Sequence, residues 1–193
     1  MKLTPLGIEG AWLAESQVWP DERGLFREWF KHTETLEMTG IDFSVKQANF
    51  SVSNKGVIRG IHYSLAPEGQ SKLVTCVSGE IVDVIVDIRP DSPTFKQVEY
   101  VSLTPENGSS VLLQSGLGHG FVSLKNNSGV SYLLSSPFSP EFELDISPID
   151  NELNILWGEK TDNKLEFIYS EKDLGAPTLQ NRFEKRQLPN QLI

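Results

Sequence analysis

The sequence predicts an all-β fold, a sandwich or barrel. Three observations carry that expectation: short runs alternating apolar and polar residues, turn-forming clusters between the runs, and little helical periodicity. Strands are read at 46–53, 57–63, 72–77, 81–89, 98–103, 110–113, 120–124 and 130–134. Ser78-Gly79, Asn107-Gly108 and Asn127-Ser128-Gly129 punctuate them as turns. In 81–89, Val82, Val84, Val86 and Ile88 share one face while Asp83, Ile85, Asp87 and Arg89 share the other, as a strand covered on one side by a core requires. In 46–53, Ala48, Phe50 and Val52 oppose Gln47, Asn49, Ser51 and Ser53, a face too polar for a dry core. Short helices are expected only at 33–39 and after residue 163. The stretch 177–193 has little periodicity and is expected to wrap the outside of the fold or a partner subunit.

The chain has 193 residues, 38% hydrophobic and 22% charged, which suits one folded domain with a sizeable core over 1–193. A net charge of −9 with no basic stripe argues against broad nucleic-acid binding. A few local Arg and Lys residues can still line a pocket for a small anion. Residues 1–10 read as no signal peptide, and no run of about 18 apolar residues suggests a membrane span. Cys76, the single cysteine, forbids an internal disulfide and suits a reducing cytoplasm. Val74 and Val77 nearby, with no adjoining basic residue, make it a small buried apolar side chain rather than a nucleophile.

The three histidines are His32, His62 and His119. Metal-dependent jelly rolls draw two histidines from one short strand, yet Arg59-Gly60-Ile61-His62-Tyr63-Ser64 offers one, so no metal is expected. Alone, His62 reads as a structural histidine. With Arg59 before it and Lys72 after it, it brings positive charge into an apolar strand region, and buried cations need an anionic partner.

The sequence resembles the dTDP-4-dehydrorhamnose 3,5-epimerases, which act on a nucleotide-linked 4-keto-6-deoxy sugar. The resemblance runs in order through Asp21-Glu22-Arg23-Gly24-Leu25-Phe26-Arg27-Glu28, Gln47-Ala48-Asn49-Phe50-Ser51, Gly56-Val57-Ile58-Arg59-Gly60-Ile61-His62, Lys72-Leu73-Val74, Asp83-Val84-Ile85-Val86-Asp87-Ile88-Arg89, Ser92-Pro93-Thr94-Phe95, Gly118-His119-Gly120-Phe121 and Ser170-Glu171-Lys172-Asp173. It implies a cupin-type jelly roll with short peripheral helices and N- and C-terminal extensions. It also implies a cytoplasmic homodimer with strands shared across the interface, and a reaction that needs no cofactor.

Epimerisation beside a ketone requires a base, a group that steadies the enolate oxygen, and an acid on the opposite face. The resemblance makes His62 the base, oriented by Asp173, and Tyr132 the acid, with Lys72 beside the sugar oxygen. On residues alone, Tyr132 reads as strand packing beside Val130 and Leu134, and Asp173 as a surface charge beside Lys172. The resemblance assigns substrate binding to Arg23, Glu28, Gln47, Asn49, Arg59, His119, Glu143 and Lys172, types suited to a diphosphate and to polar edges of base and sugar. Arg23 and Glu28 read equally as an exposed ion pair. Arg59 and His62, three apart, should face opposite ways on a regular strand unless Gly60 marks a bulge.

The chain departs from the family at Ser64, at 113–118 and at Leu144-Asp145-Ile146-Ser147-Pro148, changes that bear on the sugar pocket and on how many carbons are inverted. The expectation is inversion at carbons 3 and 5. Alternatives are a single-centre epimerase, a 3,4-ketoisomerase, and a non-catalytic sugar-binding jelly roll.

Overall fold

The computed structural model describes residues 1–158, 161 and 165–189. Thirteen strands lie in three sheets among these residues: β1 (Lys2–Pro5), β2 (Ala11–Glu15), β3 (Val18–Asp21), β4 (Gly24–Arg27), β5 (Gln47–Ser53), β6 (Ile58–Ser64), β7 (Lys72–Ser78), β8 (Ile81–Asp87), β9 (Val98–Leu103), β10 (Ser109–Leu113), β11 (Leu117–Ser123), β12 (Ser128–Leu134) and β13 (Glu143–Asp145). Helices are short: α1 (His32–Thr39), α2 (Glu171–Leu174) and α3 (Leu179–Glu184). A six-stranded sheet in the order β1-β2-β10-β7-β12-β5 packs on a five-stranded sheet in the order β13-β6-β11-β8-β9, with β3-β4 as a separate hairpin. Every strand pair is antiparallel. This is the all-β sandwich that the alternation implied, and it agrees with the cupin-type jelly roll that the resemblance implied.

Three apolar clusters explain the layering. Between the sheets, Val74, Cys76, Ile81, Ile85, Val111, Phe121 and Val130 meet. Behind the five-stranded sheet, Val82, Val84, Val86 and Ile88 pack under Trp157, Leu179 and Leu188. Outside the six-stranded sheet, Leu73 and Leu112 pack under Phe43 and Trp29. Strand β8 is therefore buried on both faces, which corrects the expectation of a strand covered on one side. Fully burying each aliphatic side chain contributes roughly 1.5–3 kcal/mol.

Strands β1 to β4 and β13 fall outside the expected runs. At three to five residues, with Pro5 and Pro20 among them, they are too short to show alternation. The segment after Pro177 is not aperiodic wrapping: α3 docks with Leu179 and Arg182 buried, and the Tyr63 hydroxyl donates to the Gln187 carbonyl at 2.7 Å. The last part of that stretch, 190–193, lies outside the described residues.

Candidate active site

A cavity of about 220 Å³ opens between the two sheets, and its lining includes Asn49, Arg59, His62, Lys72, His119, Tyr132, Glu143, Asp145 and Lys172. Strand β5 supplies the polar wall. Asn49 and Ser51 face the cavity, while Phe50 and Val52, 62% and 52% exposed, point to the outside. The face too polar for a dry core is thus the inner one, lining a wet site. Gln47 braces it, its Nε2 donating to Asn49 Oδ1 at 2.8 Å and its Oε1 accepting from the Phe138 backbone N–H at 2.8 Å.

Arg59 and His62 reach the same cavity because β6 carries a bulge. His119 pairs with His62 and Phe121 with Arg59, so Gly120 alone opposes both Gly60 and Ile61. Gly60 sits at φ +130°, where a Cβ would lie 2.6 Å from the Gly120 Cα. Only glycine fits that approach. Arg59 Nε then donates to Ser53 Oγ at 3.1 Å.

His62 is tied to α2. Its Nε2 lies 2.9 Å from Asp173 Oδ1, and Ser170 caps the helix by accepting from the Asp173 backbone N–H at 3.0 Å. Burial pushes the Asp173 carboxyl up, but the His62 and Ser170 hydrogen bonds and the charges of His62 and Lys172 outweigh it, leaving the group below the usual carboxylate range. An ionised carboxylate accepts only, so Nε2 carries the proton and Nδ1 is the basic nitrogen. A second carboxylate, Asp145, sits 3.7 Å from the same Nε2.

Lys72 on β7 is buried. Burial pulls its ammonium below the usual lysine range, and the charges of Glu143, Asp145 and Asp83 pull it back part of the way. Its Nζ is 3.5 Å from the His62 carbonyl oxygen. Tyr132 stands on β12 opposite Asn49 and Val74, half-buried and also packed on the inter-sheet core. It comes from the six-stranded sheet, whereas His62 comes from the five-stranded one, so the two approach the cavity from opposing walls. His119 Nε2 pairs with the buried Asp83 Oδ2 at 2.8 Å. Gln70 Nε2 donates to Glu143 Oε1 at 2.9 Å, and Lys172 Nζ lies 3.0 Å from Asp145 Oδ2.

Three residues assigned to substrate do not line this cavity: Gln47, which only braces Asn49, and Arg23 and Glu28. Arg23 sits in the exposed β3-β4 turn paired with Asp21, and Glu28 pairs with Lys31 at 3.1 Å. Conversely, the sequence reading gave no site role to Gln70, Phe121, Phe138 or Asp145, which line the cavity. For Asp145 a signal existed: it lies two residues from Glu143 and therefore on the same face of a strand. Among the described residues no group of three or more His, Cys, Asp or Glu is placed to hold a metal ion, and no helix is long and apolar enough to cross a membrane.

The family model for dTDP-4-dehydrorhamnose 3,5-epimerase matches residues 5–181. The chain belongs to this family. It is 43% identical over 91% of its length to a dTDP-4-dehydro-6-deoxyglucose 3-epimerase from a Streptomyces species, covering 87% of that protein. It is 42% identical over 93% of its length to a dTDP-4-dehydrorhamnose 3,5-epimerase from Mycolicibacterium smegmatis, covering 86% of it. Among solved structures, a 3,5-epimerase from Legionella pneumophila in complex with dTDP-4-keto-L-rhamnose superposes with a TM-score of 0.89 at 35% identity, covering 100% of this chain and 99% of that one. As a member of the epimerase family the chain is an isomerase of dTDP-linked deoxysugars.

Proposed function

We propose that the protein epimerises a dTDP-linked 4-keto-6-deoxy sugar at carbons 3 and 5, in rhamnose-type deoxysugar synthesis. The observation that carries this reading is the meeting in one cavity of His62, held by Asp173 behind it, the buried Lys72 ammonium and Tyr132 on the opposing wall. His62 Nδ1 takes the proton from the carbon beside the ketone, and the C–H electrons pass to the carbonyl oxygen as an enolate. Asp173 steadies the imidazolium. Lys72, a buried cation with anions only at longer range, stabilises the enolate oxygen, an effect worth roughly 3–4 kcal/mol at comparable sites. Tyr132 returns a proton from the other face, and exchange with water resets both groups. Only protons move, so an acid and a base suffice.

Arg59, His119 and Lys172 supply positive charge or donors for the diphosphate, while Gln47, Asn49 and Glu143 offer polar edges to sugar or base. Arg23 and Glu28 complete the site from a second copy of the chain. A homodimer is supported by apolar surface in want of a cover: Trp19, Leu25, Phe26, Phe50, Val52 and Val77 are all exposed, and β5 is an open sheet edge. The chain acts as one domain, and the buried thiol of Cys76, raised to about 11 mainly by burial, suits a cytoplasmic setting.

Inversion of a single centre is the second reading, favoured by the 3-epimerase at 43% identity. Incubation with dTDP-4-keto-6-deoxyglucose in heavy water tests both. Two deuterons, at carbons 3 and 5, are expected. Label at one carbon only establishes the second reading, migration of the ketone indicates a 3,4-ketoisomerase, and binding with no label indicates a sugar-binding protein.

A further inference from the structure

Asp145 is an unexpected charge in the cavity. Strand β13 pairs it directly with His62, so both side chains share the inner face. Two carboxylates therefore converge on one ring nitrogen, Asp173 Oδ1 at 2.9 Å and Asp145 Oδ1 at 3.7 Å from His62 Nε2. One N–H makes one good hydrogen bond, and 3.7 Å is too long for a second. Asp145 instead holds Lys172 Nζ, at 3.1 Å from Oδ1 and 3.0 Å from Oδ2. The pair is unequal: the Asp145 side chain is 15% exposed and that of Lys172 is 69% exposed. The carboxylate is fixed, its backbone carbonyl accepting from Arg182 Nε at 2.9 Å, while the ammonium is on a mobile stem at the cavity rim.

Of the cavity's three Lys and Arg side chains, Lys72 is buried and Arg59 is bonded to Ser53, so Lys172 is the one most able to turn toward an arriving diphosphate. A dianion attracts it more strongly than one carboxylate does. Once Lys172 leaves, Asp145 is an unneutralised negative charge beside His62. We propose that Asp145 is a positioning residue that couples nucleotide binding to proton abstraction: it holds Lys172 in the empty site, and in the loaded site it stabilises the imidazolium that forms on His62. This rests on the epimerase reading.

The coupling makes two opposite predictions for one nearly isosteric change. Asp145→Asn removes the competitor for Lys172 and a negative charge from the cavity, so dTDP binds about two- to fivefold more tightly by calorimetry. The same variant loses the loaded-site charge, so kcat for deuterium uptake falls about tenfold. General damage to the site would weaken both. In a Lys172→Gln background, dTDP binds more weakly and Asp145→Asn tightens it by less than in the wild type, since only the loss of the cavity's negative charge remains. Unchanged kcat, weaker dTDP binding in Asp145→Asn, or the same tightening with Lys172 removed would each overturn the coupling. Failure of the wild-type protein to take up deuterium would instead overturn the epimerase reading, since the dTDP arm stands without turnover.

Discussion

Two histidine–aspartate pairs lie side by side in the cavity and are built for different work. His62 and His119 face each other across β6 and β11. The His62 ring is 36% exposed and its Asp173 arrives from a four-residue helix distant in sequence. The His119 ring is 11% exposed, and its Asp83 is fully buried on the neighbouring strand β8. A ring that gains and loses a proton every turnover needs reach to solvent and an anion poised to steady its charged form. A ring locked inside a sheet is better suited to holding a substrate atom, or a strand, in place. The resemblance gives the two histidines different roles, and their unequal burial supports that division.

The largest expected effect tests that separation. His62→Ala cuts deuterium uptake by about 10³-fold or more, with dTDP affinity close to wild type and Tm only a few degrees lower, because the partly exposed imidazole carries chemistry and Asp173 keeps its Ser170 hydrogen bond. His119→Ala does the reverse. It strands the buried Asp83, whose Oδ1 already has no hydrogen-bond partner, and a buried carboxyl left wholly without partners costs about 3 kcal/mol, or roughly 10 °C in Tm. If His119→Ala stopped exchange while leaving Tm unchanged, the roles would have to be exchanged.

Lys72 sharpens the contrast, being buried like His119 and proposed to act like His62. Burial lowers its pKa, so the unfolded chain binds that proton more tightly and the folded chain carries a desolvation penalty at neutral pH. Lys72→Met should therefore raise Tm by a few degrees while lowering turnover by about 10²-fold or more. A fall in both would mean that the ammonium is structurally paired and that its burial is not held for catalysis.

Much of this was legible because alternation reports which residues share a face, and the longer strands of both main sheets, such as β5 and β8, follow it. Alternation does not report which face is inside. Strand β5 turns its polar residues inward and exposes Phe50 and Val52, while β8 buries Asp83 and Asp87 as deeply as its valines. Both inversions come from tertiary context, a wet cavity in one case and core on two sides in the other. The Gly60 bulge was readable as a condition, since Arg59 and His62 could share a cavity only if it existed, and the β6–β11 register shows it. Asp173 meets His62 across 111 positions of sequence, which periodicity cannot foresee; the resemblance named the pair. Arg23 and Glu28 lie outside the cavity, on the β3-β4 turn and just after β4, where nothing in the pattern of a single chain ties them to it.

The smallest effect concerns pH and again divides the pairs. Asp173 is held below the usual carboxylate range although burial pushes the other way, because His62, Ser170 and Lys172 favour its charged form. A carboxyl whose folded pKa is depressed adds stability that is fully present above the unfolded value of about 3.9 and is lost as pH falls through the folded value. Asp173→Asn removes this contribution. The wild type should therefore melt a few degrees above the variant at pH 7, and the gap should narrow as the pH is taken below about 4. Calorimetric melts of both proteins from pH 7 to pH 3 read it directly. A gap that widened toward acid pH would show that the pair gains strength when Asp173 is protonated, and Asp173 would then no longer serve as the anion that steadies a charged His62.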